Sequence, residues 1–322
     1  MILVVCLNLA VDEIIEVDHL QIGQVHRSLH TRRQAGSKGV NVARVLGTLG
    51  APCILTGFLG GEKGEFIARD LEREKISFKS CPIQNESRTC FILHDHKTNR
   101  QTVINEPGAE INSEEFSFFT ESYQRLLEGV ELVVISGSLP PGLNADTYAQ
   151  LISMARDANK RTLLDSSGFP LSHAVQARPH LLKINHEEAA ALLDQPVYTP
   201  SDAARAVDRL LQMGIDLVMI TIGAEGAVFA SREGQYLFTP PQIEARNSVG
   251  SVDAALAGLA AGLFHGDSLQ QLGALSMAAG AANALHGGGH CTLDEITVLK
   301  AKVRCTPLSR EVFNEPPDRD EK

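Results

Sequence analysis

The chain has 322 residues, 43% hydrophobic and 21% charged, the make-up of a globule with a large core. Its formal net charge of -10, with no long Lys/Arg cluster, argues against nucleic acid and anionic membrane as partners. No apolar run reaches the ~18 residues of a membrane span, and none of the 6 cysteines has C-x-x-C spacing, so the expectation is a cytoplasmic protein with free thiols and no zinc site.

The first apolar run, residues 2–7, is short, lacks a basic flank and meets Asp12 and Glu13. It reads as a buried strand rather than a signal peptide. Further strand-like runs follow at 53–56, 132–136, 162–165, 181–184 and 217–221. Helical patterns such as 40–49 and 202–213, with apolar residues three and four apart, lie between them. Such βαβ alternation predicts an α/β fold with a mainly parallel sheet and helices on both faces. Residues 11–34 and 88–105 break the pattern with polar-alternating strand candidates at 25–33, 89–94 and 101–104. These suit a small antiparallel sheet standing off the main one as a lid. Residues 254–284 are helical and rich in small side chains, and residues 307–322, polar with Pro316-Pro317, read as a disordered tail.

Five turns carry candidate chemistry. Gly36-Ser-Lys38-Gly39-Val-Asn41 opens a helix. Lys38 could reach a phosphate and Asn41 a sugar hydroxyl, or the turn is a plain helix start. It lacks Walker A spacing. Ser136-Gly-Ser138-Leu-Pro-Pro-Gly142 follows a strand, so it faces a ligand if the sheet is parallel, or it is only a Pro-Gly turn. Asn185 and Glu188 can share one helix face toward a hydrated Mg²⁺, or form a capping box. Thr221-Ile-Gly223-Ala-Glu-Gly226 suits a nucleotide lying against backbone, or a hairpin. In Asn247-Ser-Val-Gly250-Ser-Val-Asp253, a glycine turn feeds a helix whose N-terminus attracts phosphate, and Asp253 is either a cap or a proton acceptor.

In this order, and with Asn8-Leu-Ala-Val-Asp12, Thr56-Gly-Phe-Leu-Gly-Gly61 and Asp165-Ser-Ser-Gly168, these motifs resemble the PfkB carbohydrate kinase family over about residues 1–303. The phosphosugar branch of 1-phosphofructokinase and tagatose-6-phosphate kinase is the nearest match. The resemblance implies a ribokinase-like three-layer α/β/α fold with a small antiparallel β lid. It implies one kinase domain over residues 1–306, with ATP and Mg²⁺ as cofactors and a homodimer through the lid strands. By position, Asp253 matches the catalytic base, and Gly250, Ser251 and Val252 match the anion hole. Asp12, Gly36, Lys38 and Asn41 match sugar contacts. Arg88 matches the arginine on the substrate's phosphate, with Arg27 a second candidate and Ser138 nearby. Lys183, Asn185, Thr221, Gly223, Gly226, Ser248 and Asn283 fall in nucleotide-binding segments, and Asn185 and Glu188 match the motif that organises Mg²⁺.

The expected reaction is phosphorylation of fructose 1-phosphate to fructose 1,6-bisphosphate, with tagatose 6-phosphate or fructose 6-phosphate as alternative acceptors. A dinucleotide-binding oxidoreductase is disfavoured, because no G-x-G-x-x-G follows the first strand. Three positions depart from the family pattern. Leu9 replaces a proline and Ser37 a glycine, both mild changes. Val252 replaces the glycine before the base. A β-branched residue in a turn with φ > 0 is strained by roughly 1–3 kcal/mol. That expectation leaves a second function class open, a sugar-phosphate- or nucleotide-binding protein with impaired turnover.

Overall fold

The computed structural model describes residues 1–309. Strand β1 (Ile2–Val5) is fully buried. The lid strands β2 (Ala10–Val17) and β3 (His30–Gly36) follow, then α1 (Lys38–Thr48), β4 (Cys53–Leu59), α2 (Gly61–Arg73) and β5 (Phe78–Pro82). The chain returns to the lid with β6 (Arg88–Asp95) and β7 (Arg100–Asn105). Regular alternation then runs through α3 (Ser113–Leu127), β8 (Leu132–Ser136), α4 (Thr147–Asp157), β9 (Arg161–Asp165), α5 (Gly168–Gln176), β10 (Leu181–Asn185), α6 (His186–Leu193), α7 (Pro200–Gln212) and β11 (Leu217–Thr221). A hairpin of β12 (Ala227–Ser231) and β13 (Gln235–Thr239) leads to α8 (Ser251–His265), α9 (Leu269–Ala284), α10 (Leu293–Lys300) and β14 (Arg304–Pro307).

The main sheet has the order β14-β13-β12-β11-β10-β9-β8-β1-β4-β5. Every pairing from β5 to β11 is parallel, and those from β11 to β14 are antiparallel. Parallel strands buried on both faces read as continuous apolar runs, as in Leu-Val-Val-Ile-Ser of β8. Side chains alternate between two cores. Ile2 and Val4 pack with α1, α8 and α9, while Leu3 and Val5 pack with residues of α3 to α7. This is the expected three-layer α/β/α arrangement.

The lid is a separate sheet of order β3-β2-β6-β7. Its outer ladders are antiparallel, but β2 and β6 pair in parallel. The chain passes through α1 and α2 between these two strands, so it can re-enter in the same direction. The strand expected at 25–33 begins only at His30, because the ladder starts at the pair Glu16–His30. The tail expected from 307 starts later. Pro307 closes β14, and Leu308 N donates to Gln235 O at 2.9 Å. The expected disorder of residues 310–322 lies outside the described residues. Among the described residues no helix is long and apolar enough to cross a membrane, and all the cysteines are free thiols.

Candidate active site

Strand β1 lies between β4 and β8, so successive connections leave it toward opposite edges of the sheet. A crevice forms at the carboxyl ends of the strands on either side of such a switch. Here it is a cavity of about 270 Å³ whose lining includes Asp12, Lys38, Asn41, Arg88, Ser138 and Asp253. Six residues expected at the substrate thus meet in one place.

Helix α8 supplies the cavity's carboxylate. The turn before it bends at Gly250, φ 83°, and no side chain caps the helix N-terminus. Asp253 is buried, and its Oδ2 accepts a hydrogen bond from Asn41 Nδ2 at 2.9 Å, so its carboxylate is not a helix cap. Burial pushes the carboxyl above the ordinary aspartate range, with Lys38 opposing the shift and Asp165 adding to it. Ser251 N donates to Ser248 O, and Ala254 N donates to Gly250 O. The N–H groups of Val252 and Asp253 are therefore the open donors of the first turn. Asn283, fully buried on α9, braces this turn from behind. Its Nδ2 donates to Val249 O (2.9 Å) and Ser251 Oγ (3.1 Å), and its Oδ1 accepts from Gly289 N (2.7 Å).

The strain expected at Val252 is absent. Val252 sits inside the helix, is not among the residues with positive φ, and is 46% exposed. The glycine requirement falls instead on Gly250. Ser37, expected to be a mild departure, is the residue in a conformation almost reserved for glycine, φ 103° and ψ 160°. Its Oγ donates to Asn8 O at 2.9 Å, which fixes the turn into α1. Gly36 is needed for a different reason, because a Cβ there would overlap the Asp12 carboxyl. Burial pushes Asp12 up to about 6, against the pull of Arg44 and Arg88.

Lys38 donates to Asp165 Oδ1 at 2.7 Å, and the fully buried Lys183 donates to Asp165 Oδ2 at 2.9 Å. Burial opposes the Lys38 charge, but Asp165 and Asp253 outweigh it and raise the ammonium above its usual range. Burial likewise opposes the Asp165 charge, and Lys183 and Lys38 bring that carboxyl down to about 2. Arg88 Nε donates to Asn8 O (3.1 Å) and Nη1 to Glu106 O (3.0 Å). Asn8 Nδ2 in turn donates to Ser138 Oγ at 3.1 Å.

A second groove, of about 860 Å³, lies on the other side of the α8 N-terminus. Thr221, Gly223, Gly226 and Ser248, expected at the nucleotide, line it together with Ser251 and Val252, expected in the anion hole. Lys183, Asn185 and Asn283 are not among its lining residues; Lys183 is engaged with Asp165 and Asn283 with the Val249 turn. Asn185 and Glu188 form a reciprocal capping box: Asn185 Oδ1 accepts from Glu188 N, and Glu188 Oε2 accepts from Asn185 N. Burial raises the Glu188 carboxyl and nearby Asp165 adds to it. Arg27 lies on an exposed loop and does not line the cavity.

Sequence reasoning assigned no role to four contributors, three of them inside motifs it had singled out. Asp165 ends β9 and Asn8 follows β1, where a polar residue after an apolar strand was the available signal. Ser166 lines the first cavity with a buried hydroxyl lacking a protein partner. Arg304, on β14, lines the second groove and gave no signal.

The pfkB family carbohydrate kinase domain matches residues 1–295. Phosphofructokinase-2 from Escherichia coli, solved in complex with substrates and products, is 27% identical, with 93% of this chain and 98% of that chain covered and a TM-score of 0.87. A possible 1-phosphofructokinase from Thermotoga maritima is 25% identical, with 96% of this chain and 100% of that chain covered and a TM-score of 0.89. A family match that spans nearly the whole chain, on this fold, makes the protein a sugar kinase that belongs to the pfkB family of carbohydrate kinases.

Proposed function

We propose that the protein transfers the γ-phosphoryl group of ATP to a hydroxyl of a ketohexose monophosphate, with fructose 1-phosphate as the first choice of acceptor and fructose 6-phosphate or tagatose 6-phosphate as alternatives. One observation carries this reading. The N-terminus of α8 separates the two cavities, with Val249 and Asp253 lining the first and Ser248, Ser251 and Val252 lining the second. A sugar in the first cavity and a nucleotide in the second would meet across the open N–H groups of the helix.

In this arrangement Asp253 accepts the proton of the attacking hydroxyl, and its burial keeps its basicity above that of a surface aspartate. The N–H groups of Val252 and Asp253 receive charge developing on the transferring phosphoryl group. Arg88, whose Nη2 is not engaged by Asn8 or Glu106, supplies a charged donor for the sugar's own phosphate. Asp12, Asn41, Ser138 and Ser166 offer hydrogen-bonding groups for hydroxyls.

Bound with ATP, Mg²⁺ supplies neutralisation of the β- and γ-phosphate charge. The donor set fits a hydrated ion. Glu188 commits only Oε2 to its cap, and no group of three potential ligands exists among the described residues. A cation here would rest mainly on phosphate and water. Binding without turnover is not favoured, because the strain at Val252 that supported it is absent.

The apolar lid residues Ile22, Val25, Leu29, Val103 and Ile104 are exposed, which supports a homodimer through the lid. The primary test is an ADP-release assay over a panel of hexose monophosphates, with free fructose and ribose as controls. Turnover confined to ketohexose monophosphates is expected. Equal turnover of free fructose would reject the phosphosugar assignment, and no turnover on any sugar would reject the kinase reading of the site.

A further inference from the structure

Arg44 lies almost one turn beyond Asn41 on α1, and its guanidinium is buried. All five N–H donors are engaged. Nε and Nη2 donate to the two carboxylate oxygens of Glu74 at 2.6 and 2.8 Å. Nη2 also donates to Ala35 O at 2.7 Å, near the end of lid strand β3. Nη1 donates to Gly288 O at 3.0 Å and to Asn41 Oδ1 at 3.2 Å.

The last of these bonds has a chemical consequence. A side-chain amide has one accepting and one donating end. With Oδ1 held by Arg44, Asn41 must present Nδ2 to Asp253, and it does so at 2.9 Å. A flipped amide would set Oδ1 against the carboxylate and Nδ2 against the guanidinium, two repulsive contacts in a buried place. Gly289 closes the remaining side, since a Cβ there would stand 2.8 Å from Asn41 Cα.

We propose that Arg44 is a positioning residue for phosphoryl transfer: it fixes the Asn41 amide, which in turn holds the Asp253 carboxylate in one orientation at the start of α8. The inference rests on the reading of Asp253 as the base. The other titratable groups around that carboxylate are Lys38 on α1, Asp165 on β9, Lys183 on β10, Asp12 on β2 and the Cys6 thiol just after β1. The two lysines favour its charged form, and the two carboxylates and burial oppose it. The Asn41 bond also favours the charged form, so its loss moves the Asp253 titration upward.

The test uses Arg44→Lys, which keeps the charge and removes the fork, with Asn41→Ala and the double variant. For Arg44→Lys, kcat should fall about 10- to 100-fold while both KM values change less than about threefold. The acid limb of its kcat–pH profile should move up, and the double variant should be no slower than Asn41→Ala alone. A lower melting temperature with an unmoved acid limb and additive losses would make Arg44 a structural residue only and overturn the proposal. Should Arg44→Lys fail to fold, Glu74→Gln loosens the same guanidinium more gently. An upward limb supports the proposal, and an unmoved one overturns it. Carboxyl-¹³C NMR titration of Asp253, assigned with Asp253→Asn, needs no turnover. An unmoved titration in Arg44→Lys sinks the Arg44 inference whether or not a substrate is found. A moved titration in a protein that phosphorylates no hexose phosphate sinks the base assignment instead.

Discussion

At the start of α8 the Asp253 carboxyl turns away from the backbone N–H groups that an aspartate there ordinarily satisfies, and toward Asn41. Asp253→Asn separates base from cap. Loss of a base lowers kcat by about 10²–10⁴ with ligand binding retained, whereas loss of a cap costs about 1 kcal/mol of stability. We expect the first without the second, measured by steady-state kinetics and chemical denaturation. Activity within a few-fold of the parent would remove Asp253 from the chemistry. The two departures from the family's glycines also part company at this scale. Val252 is helical, so Val252→Gly relieves nothing and should lower stability by up to about 1 kcal/mol through helix propensity. Its kcat should stay within a few-fold, and a tenfold gain would mean that the valine methyls crowd the nucleotide after all. Ser37 holds the unusual backbone. Ser37→Gly and Ser37→Ala both lose the bond to Asn8 O, but only glycine sheds strain of about 1–3 kcal/mol, against roughly 0.5–1 for its looser unfolded chain. The glycine variant should therefore be the more stable by about 1 kcal/mol, the reverse of the usual order, and a more stable alanine variant would refute the strain.

Among the elements, α6 starts with a helix cap formed by the same two residues that were expected to organise Mg²⁺. Glutamine closes a capping box as well as glutamate does, so Glu188→Gln keeps the cap and removes the charge. The expected result is an unchanged melting temperature with the Mg²⁺ concentration for half-maximal rate raised about tenfold or more. An unchanged Mg²⁺ requirement would leave Glu188 as a cap alone. Except for β5, whose Phe-Lys-Ser-Cys-Pro is mostly exposed and was not read as a strand, the parallel strands of the main sheet were legible in the sequence because each is a short apolar run, as at β8 and β11. Strand β14 was not, since a short, exposed edge segment such as Arg-Cys-Thr-Pro carries no alternation to read. Most of the cavity's residues were legible from glycine turns at strand ends. The bridge from Lys38 through Asp165 to Lys183 was not, because its members lie on three elements and only the folded chain joins them.

On the scale of the whole molecule, the site is held by bonds that span most of the chain. Asn41 and Asp253 are 212 residues apart, and Lys38 and Asp165 are 127 apart. No fragment of the sheet can contain the site, so its assembly reports on folding of the chain as a unit. The two ends of the main sheet differ in their exposure to other chains. At one end β5 finishes in Pro82, which cannot extend a ladder. At the other, β14 covers β13 with four residue pairs and itself ends in Pro307. A chain stopped after residue 303 would uncover the backbone of β13, whereas one stopped after residue 309 would not. We expect the shorter chain to form higher-order species with rising concentration in sedimentation velocity, and the longer one to behave as the full chain does. Identical behaviour of the two would show that β13 needs no guard. On that expectation the strand that carries Arg304 to the second groove is also a stopper against intermolecular sheet growth.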